Sequence, residues 1–185
     1  MKTLVLSGKS GAGKDMFAQF LKQELEASGK KVIIMHYADA LKWILKEYYQ
    51  WDGNKDEHGR HLLQNLGTDK VRTQQPNYWT GVVVGFLTAI APYNDFDVAI
   101  IPDARFENEV TITLDNLQPA YCIRIERRNP GGEPWINPLL TSEQANHPSE
   151  TSLDDFVFDY VILNDEGLEL LKESAHTLLE DIEEI

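Results

Sequence analysis

The chain has 185 residues, 42% hydrophobic and 25% charged, with 30 acidic against 17 basic side chains and a net charge of −13. That length buries one sizeable core and is short for two. The acidity argues against a nucleic-acid polymer as partner, and no apolar run approaches the ~20 residues of a membrane helix.

In chain order, the apolar run Leu4-Val5-Leu6 predicts a first strand over residues 3–6, with no leader pattern before it. Next comes Gly8-Lys9-Ser10-Gly11-Ala12-Gly13-Lys14-Asp15, followed by helical spacing in Met16-Phe17-Ala18-Gln19-Phe20-Leu21. Glycines at a strand-to-helix turn let successive N–H groups and the helix N-terminus converge on one anion. Lys14 then reaches the β- and γ-phosphates of a nucleoside triphosphate, as in G-x-x-x-x-G-K-[ST]. Gly8, Lys9, Ser10, Gly11, Ala12, Gly13, Lys14 and Asp15 are therefore the expected ATP site. Asp15 stands where a Ser or Thr hydroxyl usually meets Mg²⁺. A carboxylate suits a hard cation, so Mg²⁺ binding is expected to survive, directly or through water.

The first helix should run to near Ser28, closed by Gly29, with a second strand over 31–35 through Val32-Ile33-Ile34. A helical excursion follows over 39–49, 59–72 and 78–90, broken by the loop-like Trp51-Asp52-Gly53-Asn54-Lys55-Asp56. A buried strand over 96–101 stops at Pro102, a helix covers 105–114, and a strand covers 120–125. Cys122, the single cysteine, falls in that apolar strand and reads as a buried thiol in a reducing cytoplasm, not as a nucleophile. Residues 127–153 lose periodicity and carry Pro130, Pro134, Pro138 and Pro148. Structureless stretches of this length inside compact domains act as lids or are disordered. A last strand over 157–163 precedes a helix capped by Asn164 or Asp165, whose Leu168, Leu171, Ala175, Leu178 and Ile182 form one apolar stripe.

Alternating strands and helices predict an α/β fold: a three-layer sandwich of the phosphate-loop NTPase type, with a five-stranded parallel sheet. The expected single domain has a core of residues 1–36, 96–126 and 154–185, a helical substrate-binding insert over 37–95 and a lid over 127–153.

Ligands of open parallel sheets lie beyond the carboxyl ends of the strands, so the residues there are the candidates. After strand two, Asp39 and Lys42 either cap and solvate the next helix or meet the acceptor. After strand three, Asp103 is placed to support Mg²⁺ and Arg105 to reach a substrate phosphate; the plainer alternative is a helix cap and an exposed arginine. Arg127 and Arg128 leave strand four into the lid, where positive charge stabilises a transferring phosphoryl group as water is excluded. In the insert, Leu62, Leu63 and Leu66 look like core, whereas Arg60, Gln64, Asp69 and Arg72 suit an acceptor's base and phosphate, and Trp79 suits stacking. All six arginines fall between Arg60 and Arg128, and fourteen of the acidic residues fall after Arg128 with one base, Lys172. The scattered histidines read as structural.

Taken together, these segments resemble the phage-type deoxynucleoside monophosphate kinases of the adenylate-kinase-like superfamily, over nearly the full length. The likeness rests on the Gly13-Lys14-Asp15 loop ending, Tyr37-Ala38-Asp39-Ala40-Leu41-Lys42, and Leu62-Leu63-Gln64-Asn65-Leu66-Gly67-Thr68-Asp69 with Arg72. It continues in Asp103-Ala104-Arg105-Phe106-Glu107-Asn108-Glu109, His147-Pro148-Ser149-Glu150, Leu153-Asp154-Asp155 and Tyr160-Val161-Ile162-Leu163-Asn164-Asp165. The resemblance implies Mg²⁺-dependent transfer of the ATP γ-phosphate to a deoxynucleoside 5′-monophosphate. It implies Arg72 and Arg105 as acceptor-phosphate ligands, Arg127 and Arg128 as lid arginines, and Asn164 among the ATP-binding residues. With the cytoplasmic location expected from composition, the resemblance suggests a host cytoplasm for a viral source, and the assembly is left open between monomer and homodimer. Animal-type phosphomevalonate kinases share the Gly-Lys-Asp ending. A phosphomevalonate or dephospho-coenzyme A acceptor, or a non-catalytic ATP-binding regulator, are the alternatives.

Overall fold

In a computed structural model, which describes residues 1–129 and 131–182, five strands form one parallel sheet. They are β1 (Lys2–Ser7), β2 (Val32–Ile34), β3 (Val98–Ala104), β4 (Ala120–Glu126) and β5 (Tyr160–Leu163), in the order β2-β3-β1-β4-β5. Pro130 of the expected lid and residues 183–185 of the expected core lie outside the described residues.

The central strands are apolar on both sides, as a sheet covered on both faces requires. Leu4, Leu6, Ile100, Ile123 and Ile125 point to one face, where they pack against α1 (Lys14–Ala27) and α8 (Leu168–Asp181) through Phe17, Leu21, Leu171 and Leu178. Val5, Ala99, Ile101 and Cys122 point to the other face. That face is covered by α2 (Asp39–Tyr49), α4 (Tyr78–Ile90) and α5 (Glu107–Asn116), through Leu41, Leu45, Val83, Leu87 and Val110. The three-layer α/β sandwich expected from the alternation is thus present. The Cys122 thiol is buried beside the Asp159 carboxylate, and burial pushes its pKa up to about 11. Among the described residues no helix is long and apolar enough to cross a membrane.

Several boundaries depart from the periodicity. Residues 59–72 do not form one α-helix: α3 (Glu57–Gln64) passes into a π-helix over Asn65–Arg72. Tertiary contact imposes this winding, because Gly67 lies against Leu41 and its carbonyl accepts the Trp79 indole N–H at 3.0 Å. Strand β3 continues past Pro102 to Ala104. Pairing with β2 already ends at Ile34–Ile100, and the register against β1 shifts between Val5 and Ser7, so the missing N–H breaks no regular ladder. The last strand starts at Tyr160, since Val157 is exposed. Helix α8 is entered through Gly167, with no side-chain cap from Asn164 or Asp165. Segment 127–153 is less irregular than its prolines predict. It opens with a tight turn in which Trp135 donates to Arg127 and Asn129 to Glu133, and it contains α6 (Ser142–Ala145) and α7 (Pro148–Thr151).

Candidate active site

The loop after β1 has the form an anion site requires. Gly13 ends it at φ 103° and opens α1 without a side-chain cap, which leaves the first helical N–H groups for a ligand. A Cβ at Gly13 would stand 2.5 Å from Nδ2 of Asn164, whose amide donates to the Ala12 carbonyl at 2.8 Å. Asn164 therefore braces the loop from outside the cleft. Lys14 is buried, with Nζ donating to the Lys9 carbonyl at 3.0 Å. Desolvation, assisted by Arg105, brings its pKa down to about 7 against the opposing pull of Glu150, Asp15 and Asp103. An anion bound beside it would restore the full charge.

Beyond β2 stands a residue that sequence reasoning passed over. His36 places Nε2 3.5 Å from Asp15 and Nδ1 3.2 Å from Asp39. Burial opposes its charge, but the hydrogen bonds to these carboxylates, with Asp103 nearby, raise its pKa to about 9. The resulting imidazolium holds Asp15 below the usual carboxylate range. Asp39 also sits well below that range, because His36 and Lys42 (3.2 Å) outweigh its desolvation. The one signal available in the sequence was position: His36 falls just past a strand, at the edge where ligands gather. Asp103 accepts the Tyr37 N–H at 2.8 Å and the Ala38 N–H at 3.1 Å, one on each oxygen, and so fixes the turn that carries this cluster. Each oxygen keeps a lone pair.

Among the described residues no group of three or more His, Cys, Asp or Glu side chains forms a metal cage. Mg²⁺ in nucleotide sites is held by one or two carboxylates together with phosphate oxygens and water. Asp15, whose carboxylate is open to the cleft, fits that pattern, and Asp103 lines the same cleft.

A cleft of about 480 Å³ runs from the loop to the helical excursion between β2 and β3. It brings together Ser10, Gly11, Lys14, Asp15, Lys42, Arg60, Gln64, Arg72, Trp79, Asp103 and Arg105 of the expected site. The anchor of its far wall is Glu109, a fully buried carboxylate that sequence reasoning did not single out. Its Oε1 meets Arg72 at 2.5 Å, while Oε2 accepts the N–H groups of Arg105 (2.6 Å) and Phe106 (3.1 Å). The Arg72 guanidinium lies 4.0 Å over the Phe106 ring. Burial raises the Glu109 pKa to about 7 despite Arg72. Among the described residues the buried Nε–H groups of the cleft-lining Arg60 and Arg72 find no hydrogen-bond partner.

Segment 127–153 covers the loop. The Trp135 ring lies where a Cβ on Gly11 would come within 2.7 Å of it, Asn137 donates to the Ser10 hydroxyl at 3.1 Å, and Arg127 stacks on Trp135 at 4.2 Å. Glu150 accepts the Ser10 N–H and the Arg105 guanidinium, each at 2.8 Å.

Other expected site residues face elsewhere. Arg128 is exposed, just past the end of β4, and paired with Glu126 at 3.0 Å. Asp69 faces His147 at 3.5 Å, linking the π-helix to α7, and Lys9 pairs with Asp154 at 2.9 Å. Asp39, Gly8, Ala12 and Gly13 support the cleft without lining it. Trp79 reaches the cleft but is 3% exposed, so it serves mainly as the prop of the π-helix and not as an open stacking platform.

No protein-family model matches the chain, and no curated protein matches its sequence. Solved structures do match over almost the whole length. A sugar kinase from Janibacter sp. HTCC2649 has a TM-score of 0.57 at 16% identity, covering 97% of this chain and 94% of that one. Shikimate kinase from Bacteroides thetaiotaomicron has 0.53 at 13%, covering 98% of each. The Mycobacterium tuberculosis APS kinase, solved with AMPPNP and APS, has 0.51 at 12%, covering 97% of each. The chain has the fold of these small-molecule kinases.

Proposed function

We propose that the protein is an ATP-dependent phosphotransferase whose acceptor is a deoxynucleoside 5′-monophosphate. The observation that carries the reading is convergence: one cleft holds the glycine loop with Lys14, the Asp15–Asp103 pair, and a separate arginine wall of Arg60, Arg72 and Arg105. A site with one anion-binding end and a second arginine end suits two phosphate-bearing substrates. The loop N–H groups, Lys14 and, as the sequence resemblance has it, Asn164 behind them hold the triphosphate. Asp15 with Asp103 holds Mg²⁺, which neutralises developing charge on the phosphoryl oxygens. Arg72 and Arg105 grip the acceptor phosphate, while Gln64 and Trp79 border the base. Segment 127–153 excludes water, with Arg127 beside the loop and Arg128 freed from Glu126 to join it.

The carboxylates favour a phosphate acceptor over a hydroxyl one. A hydroxyl must lose a proton to a base. His36 holds both Asp15 and Asp39 below the ordinary carboxylate range, so neither is poised for that work. A phosphate oxygen is already ionised and needs no base. The second reading, another small-molecule acceptor, draws on the sugar and shikimate kinases among the fold neighbours.

The test is ADP release from Mg-ATP with each deoxynucleoside monophosphate, its ribose analogue, phosphomevalonate, dephospho-coenzyme A, a hexose and shikimate. Release with deoxynucleotides is the expected outcome. Release with only another acceptor overturns the substrate, and ATP binding without release under any acceptor overturns the catalysis.

A further inference from the structure

We propose that the Glu150 carboxylate is a resident anion in the phosphate site, competing with substrate phosphate for the Ser10 amide and the Arg105 guanidinium, so that phosphate entry displaces α7. The inference rests on the functional reading above and adds a residue that sets how tightly phosphate is held.

Three groups assigned to phosphates converge on this one side chain. The Ser10 N–H belongs to the glycine loop and meets Oε2 at 2.8 Å; the Arg105 Nη1 meets Oε1 at 2.8 Å; and the Lys14 charge acts on it from the same cleft. The Glu150 side chain is 9% exposed, so these are contacts inside the site and not a rim ion pair. Two carboxylate oxygens bridging a loop amide and an arginine reproduce the contacts of two phosphoryl oxygens. A phosphate offers the same donors three oxygens and more negative charge. It therefore outcompetes the carboxylate, at the cost of moving it.

Why the fold keeps an acid there follows from charge. Lys14 and Arg105 repel each other across a poorly solvated cleft, and Glu150 offsets that repulsion. A purely structural anchor would do the same, but α7 is weakly tied down. It has only four residues, and besides the Glu150 carboxylate its cleft-side ties are Arg105 on the Ser149 carbonyl at 3.3 Å and the His147–Asp69 pair at 3.5 Å. Arg105 is common to the first two ties. A phosphate that claims Arg105 thus loosens Ser149 along with Glu150 and leaves the His147–Asp69 pair as the remaining cleft-side tie.

The experiment is calorimetric titration of the whole chain and of Glu150→Gln with pyrophosphate, with Mg-ATP and with a deoxynucleoside monophosphate, each ligand alone. The amide keeps the size and removes the charge. Expected is binding about tenfold tighter in the variant for at least one of the three, the size of one charge-assisted contact. Tightening for pyrophosphate and Mg-ATP would assign the position to the triphosphate; tightening for the monophosphate would assign it to the acceptor. The gain should shrink in an Arg105→Ala background. Equal or weaker binding of every ligand by Glu150→Gln overturns the inference while leaving the kinase reading intact. Wild-type protein that binds neither Mg-ATP nor monophosphate overturns the kinase reading, and the pyrophosphate arm then decides the competition by itself. Should Glu150→Gln melt below assay temperature, Glu150→Asp replaces it. Its shorter arm keeps the charge but loses the bridge, and the same tightening or its absence decides.

Discussion

Burial drives two ionisable groups of the cleft in opposite directions, Lys14 down to about 7 and Glu109 up to about 7. Both are the less charged for being desolvated. Lys14 faces the open loop, where a ligand anion restores its charge. Glu109 faces inward, and its task is to aim Arg72 and the Arg105 backbone. It is a positioning residue, and its replacement should be visible on one substrate only. Glu109→Gln is expected to raise the acceptor KM about tenfold or more with the ATP KM unchanged. In an Arg72→Ala background the same change should add little, and an undiminished effect there would show that Glu109 acts by another route. A second consequence is thermodynamic. Because the folded pKa lies above the unfolded value of 4.5, the native state binds the extra proton between pH 4.5 and 7. Its stabilising contribution is complete below 4.5 and is lost as pH rises through 7. The melting temperature of the wild type should carry a falling component across that window that Glu109→Gln lacks.

At the scale of elements, the π-helix decides the acceptor wall. In this winding Gly67 meets Leu41 and Trp79 together, while Thr68 and Arg72 line the cleft. Gly67→Ala tests this, since its Cβ would fall 2.5 Å from Leu41 Cδ2 in a packed core. The expected loss is about 1–3 kcal/mol of stability by thermal or urea denaturation, together with a raised acceptor KM. A neutral Gly67→Ala would mean that the element tolerates rewinding. Legibility differed sharply between elements. The covering helices α2 and α4 begin and end where their apolar spacing puts them. Beyond α3 the same spacing is blind to winding, because a 3.6-residue and a wider turn share their first contacts. Pro102 misled for a related reason: its lost N–H matters only if a neighbouring strand is there to accept it, and pairing partners are not written locally.

For the whole molecule, the two ends of the cleft come from distant parts of the chain: the loop at residues 8–15, the wall at 60–79 and 103–109, and the cover at 127–150. A ligand that bridges them stabilises the folded state by RT ln(1 + [L]/Kd), about 2.7 kcal/mol at a hundred times Kd. Mg-ATP is therefore expected to raise the melting temperature of the wild type by several degrees. Lys14→Ala should abolish both that shift and turnover; near-normal kcat in the variant would remove the central assignment. Of the acidic residues after Arg128, Glu169, Glu173, Glu180 and Asp181 are exposed on α8, whereas Glu150 reaches Arg105 inside the cleft.

The sequence by itself determined the sheet, the glycine loop with its lysine and aspartate, and the residue types at the strand ends, because strand alternation, helical spacing and turn chemistry are local properties. It marked Asp103 and Arg105 by position. What only the tertiary structure decided is how those groups are used. Asp103 spends its oxygens on the turn after β2, His36 bridges two carboxylates from different elements, Glu109 aims two arginines, and Glu150 reaches the loop from 140 residues away. Each of these depends on burial and on partners distant in the chain, and the sign of an electrostatic interaction in a desolvated site is set by those partners, not by the residue that carries the charge.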